Sequence, residues 1–198
     1  PRFKYVVDDE EGWLMRVDFS PPDITDAECQ EVLDALQSGW ITTGPRTKSL
    51  EKRVAERCGT SRAVCLNSAT ASLELTLRVL GIGPGDEVIV PAYTYTASAS
   101  PVVHVGATPV LVDAGEADGG YGLDPSVLAG AITPRTKAVI PVDIGGRMCD
   151  YAGLREVVDS RRHLFAASGP VQEVLGRIAL VADGAHSFGA RRDGTPSG

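Results

Sequence analysis

The chain has 198 residues, of which 43% are hydrophobic and 23% are charged, and its formal net charge is −7. These values are typical of a globular protein that is long enough for one large core, and the acidic balance argues against nucleic-acid binding. No apolar run approaches the length of a membrane span, and residues 1–5 lack a signal-peptide pattern.

The four cysteines are scattered through the sequence, at Cys29, Cys58, Cys65 and Cys149. No two of them have the C-x-x-C spacing of a zinc or dithiol redox site, so we predict no metal site and expect reduced thiols. Reduced thiols without a leader pattern predict a cytoplasmic protein.

The N-terminal part of the chain contains two predicted helices. Residues 3–19 mix charged and apolar side chains and predict a short hairpin or an arm. A first helix begins at Asp26, and a second runs from Thr47 to Cys58. Between them lies a loop of small and hydroxyl residues, 40–45.

The rest of the chain alternates apolar runs with helices. The first helix of this part carries Leu73, Leu77 and Leu80 on one face and ends at Gly81. Residues 161–176 look like an insertion. The runs predicted to be buried strands are Ala63–Leu66, Val88–Val90, Val110–Val112, Lys137–Val142 and Ile178–Ala182.

This alternation predicts an α/β fold with a mostly parallel sheet and helices on both faces, because parallel strands covered on both faces have continuous apolar sequences. We assign residues 1–37 to an arm and first helix. Residues 38–198 are assigned to a single α/β domain.

A small polar turn, Asn67–Thr70, joins the first of these runs to the helix that follows. The first amides of a helix have no intrahelical partner and the helix dipole favours an anion there, so this turn could bind a phosphate. The other interpretation is that Asn67 or Ser68 only caps the helix.

An acid, Asp183, ends the very apolar run at residues 178–182. A carboxylate at such depth is costly unless it is paired, and a protonated ring nitrogen would be a suitable partner. A simple cap for the following turn is equally compatible with this position. A phosphate turn, a tyrosine-containing loop and an acid together match the layout of pyridoxal phosphate (PLP).

Several segments, in the same order along the chain, resemble the DegT/DnrJ/EryC1/StrS family of sugar aminotransferases, which are fold type I PLP enzymes. They cover roughly residues 19–190. The matching segments are Ser38–Pro45, Leu66–Leu73, Gly81–Pro91, Val105–Val110, Ala131–Ala138 and Asp183–Ala190.

The resemblance implies how the cofactor would be bound. Ala69 and Thr70 match the positions that hold the phosphate, with Ser68 beside them. Tyr95 matches the aromatic residue that stacks on the pyridine ring. We expect Asp183 on the same side of the sheet as this turn.

The same resemblance implies the remaining roles. Asp183 matches the acid that pairs with the pyridine nitrogen, and His186 matches a residue that contacts the phenolic oxygen of the ring. Thr42 and Gly44 match a loop near the active site and are assigned to the substrate. A homodimer is expected, since fold type I enzymes build their sites at a dimer interface.

One part of the family pattern is missing. The Schiff-base lysine of the family lies a few tens of residues beyond the position of Asp183, and no lysine of this chain falls there. We therefore expect the chain to be the N-terminal part of an aminotransferase, without the small C-terminal domain and inactive alone. The lysines present are Lys4, Lys48, Lys52 and Lys137.

The leading functional prediction is a PLP-dependent aminotransferase that moves an amino group from glutamate or glutamine to a keto-sugar, expected to be nucleotide-linked. It would act in polysaccharide or secondary-metabolite biosynthesis. One alternative is a PLP-dependent sugar dehydratase of the same family, with histidine in place of the lysine. Another is a non-catalytic PLP-binding or regulatory module. A nucleotide-binding dehydrogenase is disfavoured because no Gly-x-Gly-x-x-Gly follows a strand.

Overall fold

The structure is a computed structural model that describes residues 5–8, 12–15, 22–115 and 121–197, the first two ranges by their backbone alone. The chain divides into two compact units, residues 1–48 and 49–198, with the boundary inside one helix. The predicted domain boundary at residue 38 stays a prediction.

The secondary structure of the described ranges follows the predicted alternation. The helices are α1 (Asp26–Gln37), α2 (Pro45–Cys58), α3 (Ala69–Val79), α4 (Ser100–His104), α5 (Pro125–Ala131), α6 (Tyr151–Ser160) and α7 (Pro170–Leu175). The strands are β1 (Tyr5–Asp8), β2 (Gly12–Met15), β3 (Glu87–Pro91), β4 (Thr108–Val112), β5 (Thr136–Val139), β6 (Ala179–Leu180), β7 (Arg191–Arg192) and β8 (Thr195–Pro196). Short 3₁₀ turns occupy Thr96–Ser98, Ile144–Gly146 and Arg162–Leu164.

The first unit contains an antiparallel strand pair and helix α1. Strand β1 pairs with β2. Helix α1 begins with a capping box: Thr25 Oγ1 accepts a hydrogen bond from the Ala27 amide at 3.2 Å, and the Glu28 carboxylate accepts one from the Thr25 amide at 2.6 Å. The apolar side chains of this helix, including Val32 and Leu36, are exposed.

The second unit is built on a four-stranded parallel sheet in the order β4-β3-β5-β6. Successive residues of a strand point to opposite faces, and β3 shows this clearly. Val88 and Val90 pack in the cluster that includes α3 residues such as Leu77. Ile89 packs in the cluster that includes α6 residues such as Leu154. The predicted α/β fold, with a parallel sheet between two layers of helices, is confirmed.

One predicted strand was wrong. Residues 63–66 have no strand assignment. The side chain of Val64 is 73% exposed and that of Leu66 is 42% exposed, so the run is not buried. Its Cys65 amide donates to a side chain, Glu51 Oε1, at 2.9 Å. The apolar composition of the run was real, but a strand also requires a neighbouring strand to pair with, and composition cannot supply that partner.

In the described part of the chain, every helix is too short or too polar to cross a membrane.

Candidate active site

The carboxyl ends of the central strands meet at one edge of the sheet, where Asp183 lies. The pairing of β5 with β6 is continued past both strands by a parallel bridge between Val142 and Asp183. The Asp183 amide donates to the Pro141 carbonyl at 2.8 Å, and the Asp143 amide donates to the Asp183 carbonyl at 3.1 Å. The backbone at Asp183 is therefore fixed on both sides.

The carboxylate of Asp183 is oriented by a hydroxyl from another segment. Ser98 Oγ donates to Asp183 Oδ2 at 2.7 Å, and Ser98 Oγ also lies 2.8 Å from Thr94 Oγ1. The other carboxylate oxygen, Oδ1, accepts the Ala185 amide at 3.3 Å. Asp183 is half-buried, whereas Ser98 is 1% exposed, so the hydroxyl binds the carboxylate on the side that faces the protein interior.

Asp183 lies on the face of the sheet that α3 covers. Ala179 and Val181 are two residues apart, and both pack against the cluster that contains the α3 leucines. Because every second residue of a strand points to the same face, Asp183 points to this face as well. The bond from Ser98 agrees, because the 3₁₀ turn at Thr96–Ser98 contacts α3. The acid and the α3 helix therefore share one face.

The amino end of α3 lies at the polar turn noted in the sequence. Ser68 caps the helix: its Oγ accepts the Ala71 amide at 3.1 Å, and its carbonyl accepts the Ser72 amide at 3.1 Å. The amides of Ala69 and Thr70 belong to the first turn of the helix, and amides in this turn have no acceptor within the helix. The turn thus combines a capped helix with two amides at the amino end of α3, where the helix dipole favours an anion.

Tyr95 begins the 3₁₀ turn that carries Ser98, and its side chain is 79% exposed. The neighbouring Tyr93 contacts Tyr121 instead, with ring centroids 5.6 Å apart. Tyr95 therefore precedes Ser98 by three residues, and its aromatic ring is largely exposed. Its assignment to the cofactor stays a prediction.

His186 lies in the turn after Asp183 and is exposed. Its Nδ1 is 3.3 Å from the Gly145 amide, which is the donor. Because an accepting ring nitrogen carries no proton, this bond leaves the proton of the neutral imidazole on Nε2. His186 can therefore donate from Nε2 to a ligand oxygen.

Gly146 sets how closely this turn approaches the sheet. Its φ is +81°, and a Cβ at this position would lie 3.1 Å from the His186 carbonyl oxygen. We expect Gly146→Ala to destabilise the fold by more than the roughly 1–2 kcal/mol that a left-handed conformation costs an ordinary residue. The measurement is the thermal unfolding midpoint.

Gly194→Ala is the matched control. Gly194 has a φ of +79°, but no atom lies within 4 Å of the Cβ position. Equal losses of stability in the two variants would show that the contact with His186 does not matter.

Thr42 and Gly44 belong to the first unit. There, Trp40 Nε1 donates to the Thr43 carbonyl at 3.2 Å, and the Trp40 indole fills the space that a side chain at residue 44 would need. The loop borders a cavity of about 500 Å³, which Ala35 and Pro45 also line. Their assignment to the substrate stays a prediction.

Sequence reasoning gave no role to three residues at this edge of the sheet, Ser98, Asp143 and Ser187. For Asp143 a signal was present, because it follows β5 as Asp183 follows β6. Ser98 and Ser187 carried no such signal, since a serine in a polar segment resembles many others.

Comparisons with known proteins find related sequences and structures. The model of the DegT/DnrJ/EryC1/StrS aminotransferase family matches residues 22–198. The structure of Spr1654 from Streptococcus pneumoniae in its PLP form superposes with a TM-score of 0.88 at 56% identity, over 92% of this chain and 46% of that one.

Two curated relatives are also similar to the chain. The spore coat polysaccharide biosynthesis protein SpsC of Bacillus subtilis (strain 168) is 44% identical over 72% of this chain and 36% of its own length. The GDP-perosamine synthase of Caulobacter vibrioides is 39% identical over 93% of this chain and 46% of its own length. The chain thus spans less than half the length of these relatives. Because the family model matches most of this chain, residues 22–198, the chain belongs to the DegT/DnrJ/EryC1/StrS aminotransferase family.

Proposed function

We propose that the whole protein is a PLP-dependent sugar aminotransferase, which moves the amino group of glutamate or glutamine to a keto-sugar, linked to a nucleotide. The observation that carries this proposal is the Asp183 carboxylate, held by Ser98 on the same face of the sheet as the amino end of α3. The names of the related proteins, which include a perosamine synthase, support the sugar as substrate class.

The residues present fit the cofactor. PLP is a flat ring with a nitrogen at one end and a phosphate on the other side, so it needs a carboxylate and an anion site that are separated. Asp183 offers the carboxylate. The amides of Ala69 and Thr70, with the hydroxyl of Thr70, offer the anion site, while the Ser68 hydroxyl already caps the helix.

When bound, PLP supplies an electron sink for chemistry at the amino carbon. Asp183 would hold a proton at the ring nitrogen, because a carboxylate beside a ring nitrogen favours its protonated form. His186 would donate from Nε2 to the phenolic oxygen. Tyr95 would cover one face of the ring and exclude water from it. Thr42 and Gly44 would contact the substrate.

The lysine that binds PLP covalently is proposed to come from the whole protein outside these residues. Lys137 is unsuitable, because its Nζ donates to the carbonyls of Pro134 and Ala166 next to the amino end of β5, away from Asp183. Lys48 and Lys52 lie on α2. We further propose a cytoplasmic homodimer, with residues 38–198 forming part of the PLP-binding domain.

The test is to titrate the whole protein with PLP and then to add L-glutamate or, in a separate sample, L-glutamine. A sugar aminotransferase is expected to bleach the visible absorbance of bound PLP with one of them and to release the corresponding oxo acid. Later addition of a nucleotide-linked keto-sugar is expected to restore the absorbance. Binding of PLP without any change on adding glutamate or glutamine would contradict the proposal and favour a non-catalytic module. Loss of water from the sugar without transfer of an amino group would indicate a dehydratase.

A further inference from the structure

We propose that Asp143 is a positioning residue, which acts through the Ser187 hydroxyl to fix the turn that carries Asp183 and His186. This inference rests on the proposed function, since it concerns how that site is held. Asp143 itself lies on the opposite face of the sheet from Asp183. It follows Val142, which packs with the α3 face, and its own bonds run to residues at α6.

The Asp143 carboxylate is 1% exposed and receives three hydrogen bonds. Its Oδ1 accepts the Cys149 amide at 2.9 Å and the Tyr151 hydroxyl at 2.8 Å. Its Oδ2 accepts the Ser187 hydroxyl at 2.8 Å. Burial of a carboxylate is costly unless hydrogen-bond donors satisfy it, so these three donors are held firmly at the Asp143 carboxylate.

The side chains of Tyr151 and Cys149, next to Asp143, stay neutral. Burial, and then the charge of Asp143, raise the pKa of the Tyr151 hydroxyl, so this group remains a donor. Burial is also the main cause that raises the pKa of the Cys149 thiol to about 11. Asp143 is thus the charged acceptor around which the neutral groups are arranged.

Ser187 connects this buried acid to the site. Its side chain is 1% exposed, and its amide donates to the Gly184 carbonyl at 2.9 Å, which closes the turn after Asp183. The backbone bonds of Asp183 fix the start of the turn, and the Ser187–Asp143 bond fixes its end. His186 lies between these two fixed points, so its distance to the Gly145 amide depends on both.

The chain offers a matched pair of variants for the test. Ser187→Ala and Tyr151→Phe each remove one hydroxyl that donates to Asp143 at 2.8 Å, but only Ser187 lies in the site turn, where its Oγ also contacts Ser197 Oγ. In the whole protein, both variants are expected to lower the thermal unfolding midpoint. Ser187→Ala alone is expected to weaken PLP binding, by roughly ten-fold, as is reasonable for the loss of one hydrogen bond to a charged group.

A second measurement separates this inference from the proposed function. The His186 ring is observed by NMR in the protein without PLP. Ser187→Ala is expected to shift its signals, and Tyr151→Phe is expected to leave them unchanged. This result supports the positioning role even if the wild-type protein shows no transamination.

The proposal is overturned if the two variants change PLP affinity and the His186 signals equally. It is also overturned if Ser187→Ala changes neither. If Ser187→Ala does not fold, Ser187→Cys replaces it, because a thiol is a weaker donor of similar size. An intermediate loss of PLP affinity is then expected, and an affinity equal to that of Tyr151→Phe overturns the inference.

Discussion

Replacement of Asp183 by asparagine in the whole protein is expected to lower the rate of transamination by roughly 10²–10³-fold, the usual cost of removing one preorganised electrostatic contact. An amide is neutral and stabilises a protonated ring nitrogen far less than a carboxylate does. The fold should survive, because the Oδ1 of an asparagine can still accept the Ser98 hydroxyl that now bonds to Asp183 at 2.7 Å. The measurements are the turnover number and the far-ultraviolet circular dichroism.

Asp193→Asn is the control for the same chemical change. The Asp193 side chain is 95% exposed, and its φ of 50° is one that asparagine tolerates well. We expect wild-type turnover in this variant. If Asp183→Asn turned over as fast as Asp193→Asn, the assigned role of Asp183 would be wrong.

Truncation of Leu77 to alanine is expected to destabilise the fold by about 2–5 kcal/mol, the usual cost of a cavity in a well-packed core. Leu77 is 0% exposed on α3 and packs in one cluster with Val88, Val90 and Val102. Because α3 also provides the amides of the phosphate turn, we expect weaker PLP binding near the unfolding temperature. The thermal unfolding midpoint measures the main effect.

Leu75→Ala provides the comparison on the same helix. Leu75 is 46% exposed, and substitutions at such surface positions usually change stability by no more than about 0.5 kcal/mol. A loss of stability in Leu75→Ala as large as that in Leu77→Ala would contradict the described burial of α3.

The sequence predicted well those features that depend on local pattern. The runs that became β3 and β5 are apolar on both faces, as strands covered by two helix layers must be, and both were predicted. Asp183 was predicted to end the apolar run at residues 178–182, and it follows β6 and pairs in parallel with Val142. Its role as a site residue stays a prediction. The helix start at Asp26 was predicted, and Ser68, one of the two residues proposed to cap the next helix, is its cap.

Features that depend on distant partners could not be predicted. The bond from Ser98 to Asp183 joins residues 85 positions apart, and nothing in either segment points to the other. The same holds for Ser187 and Asp143, which are 44 positions apart. Residues 161–176 looked like an insertion, yet Gln172 in this segment is buried and donates to the Leu80 carbonyl at 2.9 Å.

The protonation state of the PLP ring nitrogen tests the proposed role of Asp183. The whole protein, loaded with PLP that is labelled with nitrogen-15 in the ring, is examined by NMR as wild type and as Asp183→Asn. We expect a protonated ring nitrogen in the wild type, held by Asp183, and loss of that proton in the variant. An unprotonated nitrogen in the wild type, or the same protonated signal in both proteins, would contradict it.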